Sequence, residues 1–269
     1  MGVRELLRGR VAWDRLEAVV QEVVDRYDAA PARVEFLDAD NWLSTPFVVD
    51  ERYFVKVISN QNSLVHALFT TGRNLGAFTS GTAGFFEHFG TPLGMAEHEL
   101  EATARMREAG VDAPEPLEAF EVDGLGVVVL EYLPEFHTFE DCEEATVLEL
   151  APRLFESLAL MHDAGLGHGD LRAENVLVTG EAENRTLQFI DATKVQDDAM
   201  ESARAYDLAC ALAVLVPLVG PREAVAAARQ HATDEELIAA REFLDFVNIR
   251  PDHTFDATTT KGEIERVAA

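Results

Sequence analysis

Hydrophobic and polar positions recur along this chain with two periods, one of about two residues and one of about 3.6, and the change between them divides it into a strand-rich and a helix-rich part. Residues 13 to 28, WDRLEAVVQEVVDRYD, set Trp13, Leu16, Val20, Val23, Val24 and Tyr27 at helical spacing, which predicts an amphipathic helix packed ahead of the main fold. The next segment, ARVEFLDADNWLSTPFVVDERYFVKVIS, reads as strands broken around Asp38 to Asn41 and Asp50 to Arg52, ending in the alternating RYFVKVIS. From Ser59 to about Gly94 the chain is rich in Gly, Thr, Asn and Phe and has no regular period. From Met95 the segment MAEHELEATARMREAG predicts a helix with Gly110 as its stop. Two strands follow around a turn at Asp123 and Gly124, then a linker, EFHTFEDCEEA, and the helix TVLELAPRLFESLALMHDAG. A polar stretch, HGDLRAENVL, leads into a hairpin, NVLVTGEAENRTLQFID, and helices from about Ala203. The last residues, DATTTKGEIERVAA, read as a surface tail, and no internal repeat is present. Strands with one main helix, then mostly helices, predict an α+β protein with two lobes.

Composition narrows the setting. A chain of 269 residues with 48% hydrophobic content can bury a sizeable core. The runs VVVLEYL and ACALAVLVPLV read as too short or interrupted to span a bilayer, and MGVRELLRGR lacks the features of a signal peptide. The expectation is a cytoplasmic protein with no membrane contact. Cys142 and Cys210 form no CxxC pair and read as reduced, structural thiols. The net charge of -27 is spread along the chain, and Lys56, Lys194 and Lys261 are its only lysines. Such acidity disfavours direct binding to nucleic acid or anionic membrane. It resembles the surfaces of proteins from salt-loving archaea, where concentrated cations screen the repulsion.

The candidate chemistry is phosphoryl transfer, which asks for a cation on the phosphates, oxygen ligands for Mg²⁺ and a carboxylate to orient the attacking hydroxyl. Lys56 sits mid-strand in YFVKV, where a charge among apolar neighbours needs a partner. Glu97, Glu99 and Glu101 all lie near the start of the next helix and can each supply it. Asp170 and Asn175 are five residues apart, a spacing that lets both oxygens face one cleft before NVLV buries as a strand. Downstream, LQFIDAT ends an apolar strand on Asp191, a position suited to a Mg²⁺ bridging ATP phosphates. Taken singly, each is as well explained by a surface lysine or a turn residue. Together and in this order, they form a constellation suited to phosphoryl transfer.

HGDLRAENVL resembles the catalytic loop of the protein-kinase-like superfamily, His-x-Asp-Leu-x-x-x-x-Asn, and the resemblance runs from about Val34 to Val216. It implies a bilobal α+β fold, with an antiparallel N-lobe sheet carrying one main helix and a mostly helical C-lobe. Residues 1–133 would form the N-terminal helix and N-lobe, with an insertion at about 60–94, and 134–269 the C-lobe with a short tail. It further implies that Asp170 orients the acceptor hydroxyl, that Asn175 and Asp191 hold Mg²⁺ or Mn²⁺, and that Lys56 contacts the ATP phosphates. VLEYLP resembles the hinge, so the Glu131 carbonyl and Leu133 NH would meet adenine. ELEATARMREAGVDAPEP is similar to a RIO-kinase helix, and counting back from Gly110 selects Glu99 as the lysine's partner. Asp207 in AYDLACAL looks like the buried aspartate that supports the catalytic loop, and His168 reads as structural. Arg172 falls where many protein kinases carry a lysine and is a candidate contact to the transferring phosphate.

The departures from ordinary protein kinases are informative. Gly169 replaces the arginine before the aspartate, only fifteen residues separate Asp191 from Asp207, and IDAT stands in place of Asp-Phe-Gly. These features resemble RIO-type atypical kinases, and also aminoglycoside and choline phosphotransferases, which share His-Gly-Asp and a YDLA-like helix. No glycine occurs in DADNWLSTPFVVD, so Ser44 and Thr45 are left as phosphate donors beside Pro46, which lacks an NH. The 60–94 insertion, with Phe69, Phe78, Phe85, Phe86 and Phe89, reads equally as a lid or as a loop packed on the upper lobe. The expected function is a RIO-like ATP- and Mg²⁺-dependent phosphotransferase acting on a protein hydroxyl, or a regulatory ATPase. The alternatives are an aminoglycoside-type small-molecule kinase and a nucleotide-binding pseudokinase. ATP is the expected partner, with an unidentified protein or small-molecule acceptor.

Overall fold

The computed structural model describes residues 11–37, 44–60, 91–192, 200–250 and 253–268, with Glu183 defined by its backbone only. Most of the 60–94 insertion, read as either a lid or a packed loop, lies outside the described residues, as do the segment 38–43 and Lys194. The chain divides into two compact units.

The first unit is an antiparallel sheet of five strands in the order β1-β2-β3-β5-β4: β1 (Val34–Phe36), β2 (Thr45–Val49), β3 (Tyr53–Ile58), β4 (Pro116–Val122) and β5 (Leu125–Glu131). The alternation of side chains along β3 and β5 gives the sheet two apolar faces. One face, including Phe47, Val55, Val57, Leu125, Val127 and Val129, buries against Leu16, Val19 and Val23 of helix α1 (Trp13–Arg26). The opposite face, with Ile58, Val128 and Leu130, packs on Met95 and Ala96 of helix α2 (Pro92–Glu108). The close approach of α2 depends on Gly126, where an added Cβ would lie 2.0 Å from the Pro92 carbonyl oxygen.

The second unit is mostly helical: α3 (Glu144–Asp163), α4 (Met200–Val219), α5 (Pro221–Ala228), α6 (Asp234–Ile249) and α7 (Ala257–Ala268). Helix α4 is buried nearly all round, so its pattern is continuous rather than amphipathic. At 20 residues, with a mean hydropathy of 1.5 in its most apolar window, α4 is long and apolar enough to cross a membrane, unlike the shorter run read from sequence. Its window is 78% buried inside the unit, as befits a core helix.

Two segments differ from the sequence reading. The supposed linker contains β6 (Phe136–Thr138), which pairs with the hairpin strands β7 (Val176–Thr179) and β8 (Thr186–Phe189) in a sheet ordered β6-β7-β8. Too few residues alternate in FHT for a period to show. The supposed tail is α7, which buries Ala257, Thr260 and Ile264, the last two fully. Its three threonines hide a 3.6-residue period carried by small side chains, and Asp256 caps its start through the Thr259 NH at 2.9 Å.

Candidate functional site

In the first unit, Lys56 lies on the α2 face of β3, between Phe54 and Ile58, and is 7% exposed. Its Nζ is 3.0 Å from Glu99 Oε1. Glu99 follows Met95 and Ala96 at helical spacing of four and three, so it shares their sheet-facing side, whereas Glu97 and Glu101 are exposed. The pair is largely removed from water, with side chains 9% and 14% exposed, so it holds the ammonium in one place. Lys56 stands opposite Pro46 in the register of β2 and β3. Ser44 is buried, and its hydroxyl has no partner among the described residues; Thr45 opens β2 half-buried. At the end of β5 the Glu131 NH donates to the Glu115 carbonyl at 2.8 Å, and the next NH, of Tyr132, to the Arg52 carbonyl at 2.9 Å. Leu133 follows, half-buried.

In the second unit, HGDLRAENVL is an irregular loop closed by a 3-10 turn, Ala173–Asn175. Its entry is fixed by Asp207, a fully buried carboxylate on α4. The His168 NH donates to Asp207 Oδ2 and the Gly169 NH to Oδ1, both at 2.7 Å. His162 Nε2, on α3, is 3.1 Å from the same Oδ2. Gly169 has φ +74°, in the left-handed region where a side chain is strained. Beyond lacking a phosphate-receiving arginine, the glycine thus lets two successive NH groups meet one carboxylate. The His168 ring is fully buried, edge-on to Phe189 at 6.1 Å, and burial holds its pKa below the usual histidine value.

Asn175 is 2% exposed, and its Nδ2 donates to the Asp170 carbonyl at 2.8 Å. Since the amide nitrogen is committed to the loop, Oδ1 is the atom left to act as a ligand. Its backbone carbonyl accepts the Ile190 NH at 3.1 Å, and the neighbouring residues Val176 and Phe189 are register partners. The hairpin therefore brings Asn175 and Asp191 to the same end. Asp191 has φ +59°, a conformation aspartate tolerates better than most residues. Asp170, 24% exposed at its side chain, faces two arginines: Arg172 Nε at 3.5 Å from Oδ2 and Arg250 Nη2 at 2.9 Å from Oδ1. Arg172 is also ion-paired with Glu174.

An amide oxygen beside a carboxylate suits Mg²⁺, which binds through one or two protein oxygens and keeps positions for water and phosphate. Among the described residues no group of three or more His, Cys, Asp or Glu forms a metal cage. Sequence reasoning missed His162, Tyr206 and Arg250. The first carries a weak signal in its place six residues before His168; Arg250, eighty residues from Asp170, carries none.

The paired units, a five-stranded antiparallel sheet with its helix and a helical unit holding an Asp-Asn loop, define the protein-kinase-like fold. Solved structures agree. The Rio2 kinase-ADP/Mg²⁺-phosphoaspartate complex from Chaetomium thermophilum matches with TM-score 0.53 and 14% identity over 96% of this chain and 77% of that one. An aminoglycoside-3'-phosphotransferase of type VIII matches with TM-score 0.52 and 17% identity, over 87% and 99% of the two chains. The GDP complex of aminoglycoside 2'-phosphotransferase-IIIa matches with TM-score 0.52 and 13% identity, over 95% and 98%. Among curated proteins nothing matches. Residues 93–208 match the family model of the RIO domain. That match spans Glu99, Glu131, Leu133, Asp170, Arg172, Asn175, Asp191 and Asp207, and leaves Ser44, Thr45 and Lys56 outside it.

Proposed function

We propose that this protein is a RIO-like ATP- and Mg²⁺-dependent phosphotransferase that acts on a serine or threonine hydroxyl of a protein or works as a regulatory ATPase. The observation that carries the reading is the loop geometry: Asn175 tied to the Asp170 carbonyl, its strand pinned beside Asp191, and the loop entry held by Asp207. In this reading Asp170 accepts a hydrogen bond from the attacking hydroxyl and aligns it, and Arg172 neutralises charge on the transferred group. Lys56, kept in place by Glu99, contacts the ATP phosphates, with Ser44 and Thr45 as further donors. Glu131 and Leu133 offer backbone groups to adenine. Mg²⁺ held by Asn175 and Asp191 would supply charge neutralisation on the phosphates. The domain boundary after Leu133 belongs to the same reading. Among the structures of like fold, the Rio2 kinase was solved with ADP and Mg²⁺, and an aminoglycoside phosphotransferase with GDP. The RIO reading is preferred to a small-molecule kinase because residues 93–208 match the RIO domain in sequence, whereas the aminoglycoside enzymes are alike in fold.

The test is ADP release from ATP in molar KCl, with Mg²⁺ and after its removal by EDTA. Turnover present with the metal and absent without it is expected; nucleotide binding indifferent to Mg²⁺ would point to a pseudokinase. The salt requirement is part of the proposal, because 49 acids against 22 lysines and arginines repel one another in dilute buffer. The circular dichroism spectrum should lose most of its helical signal on transfer from molar KCl to dilute buffer. An unchanged spectrum would remove the salt-adaptation argument and leave the enzymatic one standing.

A further inference from the structure

Arg250 caps the C-terminal end of α6 and has no part in the roles assigned above, yet its guanidinium spans two groups of the catalytic loop's support. Nη2 donates to Asp170 Oδ1 at 2.9 Å and Nη1 to the Tyr206 hydroxyl at 2.5 Å. Tyr206 is fully buried, its ring packed against Phe243 and Phe246 of α6, and it immediately precedes Asp207. Two adjacent residues of α4 thus reach the loop by separate routes: Asp207 through the backbone of residues 168 and 169, and Tyr206 through Arg250 and the Asp170 carboxylate. The Arg250 side chain is 13% exposed, so this contact is not an exposed ion pair of the kind that contributes little.

We propose that Arg250 is a positioning residue for Asp170: it fixes the rotamer of the carboxylate and makes its aim depend on the C-terminal helices. The planar guanidinium is required because it places two nitrogens at once, on phenol and carboxylate; an ammonium at that distance offers a single point charge. This deepens the phosphotransferase reading and rests on it.

The experiment measures ADP release from Mg·ATP in molar KCl for wild type, Arg250→Ala, Arg250→Lys, Asp170→Asn and the double variant Asp170→Asn/Arg250→Ala, each checked for wild-type circular dichroism. Misplacing a reacting group by about 1 Å costs about 100-fold, so Arg250→Ala should lower kcat by about that factor with KM for ATP nearly unchanged. Arg250→Lys should recover only part of the loss, and free guanidinium should restore turnover to Arg250→Ala. In the Asp170→Asn background, removing Arg250 should cost little more, because both act through one carboxylate. Equal losses in both backgrounds, or a change confined to KM, would overturn the proposal while a wild type that turns over leaves the phosphotransferase reading intact. A wild type with no Mg²⁺-dependent turnover would overturn that reading and this one with it.

Discussion

Replacing Asp191 with alanine is expected to lower Mg·ATP-dependent ADP release by at least about 1,000-fold, because in the proposed role its carboxylate would hold the metal on the phosphates, a contribution of several kcal/mol to the barrier, and each ~1.4 kcal/mol is tenfold. Backbone geometry separates a loss of chemistry from a loss of folding. Asp191 sits at φ +59°, where alanine is strained by about 1–2 kcal/mol. Asparagine tolerates that conformation. Asp191→Asn should therefore melt close to wild type and still lose most of its turnover, whereas Asp191→Ala should lose both some stability and nearly all turnover. Metal-free nucleotide binding should stay the same in both variants. If Asp191→Asn retained wild-type kcat at saturating Mg²⁺, the metal-binding role given to Asp191 would be wrong and the turn conformation alone would explain the residue.

The parts of this molecule that could be read from sequence are those whose physics is periodic or local. Helix α1, the β4–β5 hairpin, helix α3 and the β7–β8 hairpin each repeat an apolar position often enough to declare a period, and the structure forms them close to where the period predicts. The choice among Glu97, Glu99 and Glu101 was left open by composition. It was available from periodicity alone, since Glu99 alone of the three shares the face of Met95, Ala96 and Met106. Segments β6 and α7 were hidden for opposite reasons: three residues are too short for a period, and Thr and Gly dilute one. Gly169 was legible as a departure from ordinary kinases but not as a backbone requirement, because its φ follows from where Asp207 stands, thirty-eight residues later in the chain. Arg250 belongs to the same category: its partner is fixed by the packing of α6 on α4, which no local pattern encodes.

The largest loss of stability is expected at Asp207, and the reason is the number of groups that depend on one buried side chain. Its carboxylate is fully buried and takes three partners, the NH groups of His168 and Gly169 and the His162 ring nitrogen. Asp207→Ala would leave two backbone donors and an imidazole nitrogen without an acceptor, in a position that folding keeps from water. Each such buried group costs about 1–3 kcal/mol when unsatisfied, so the three together cost about 3–9 kcal/mol, a large share of the stability of a typical domain. For a chain of this size that corresponds to a fall in Tm of about 10 °C or more, read by thermal melts in molar KCl. Asp207→Asn keeps one acceptor oxygen but turns an NH₂ toward a second donor, so its melting temperature should lie between those of Asp207→Ala and wild type. Because the two NH groups set the entry to the loop carrying Asp170, the asparagine variant should also lose kcat by more than its stability accounts for. Melting of Asp207→Ala within about 2 °C of wild type, less than 1 kcal/mol, would mean that water can reach these donors and that the loop is not held from below by this carboxylate.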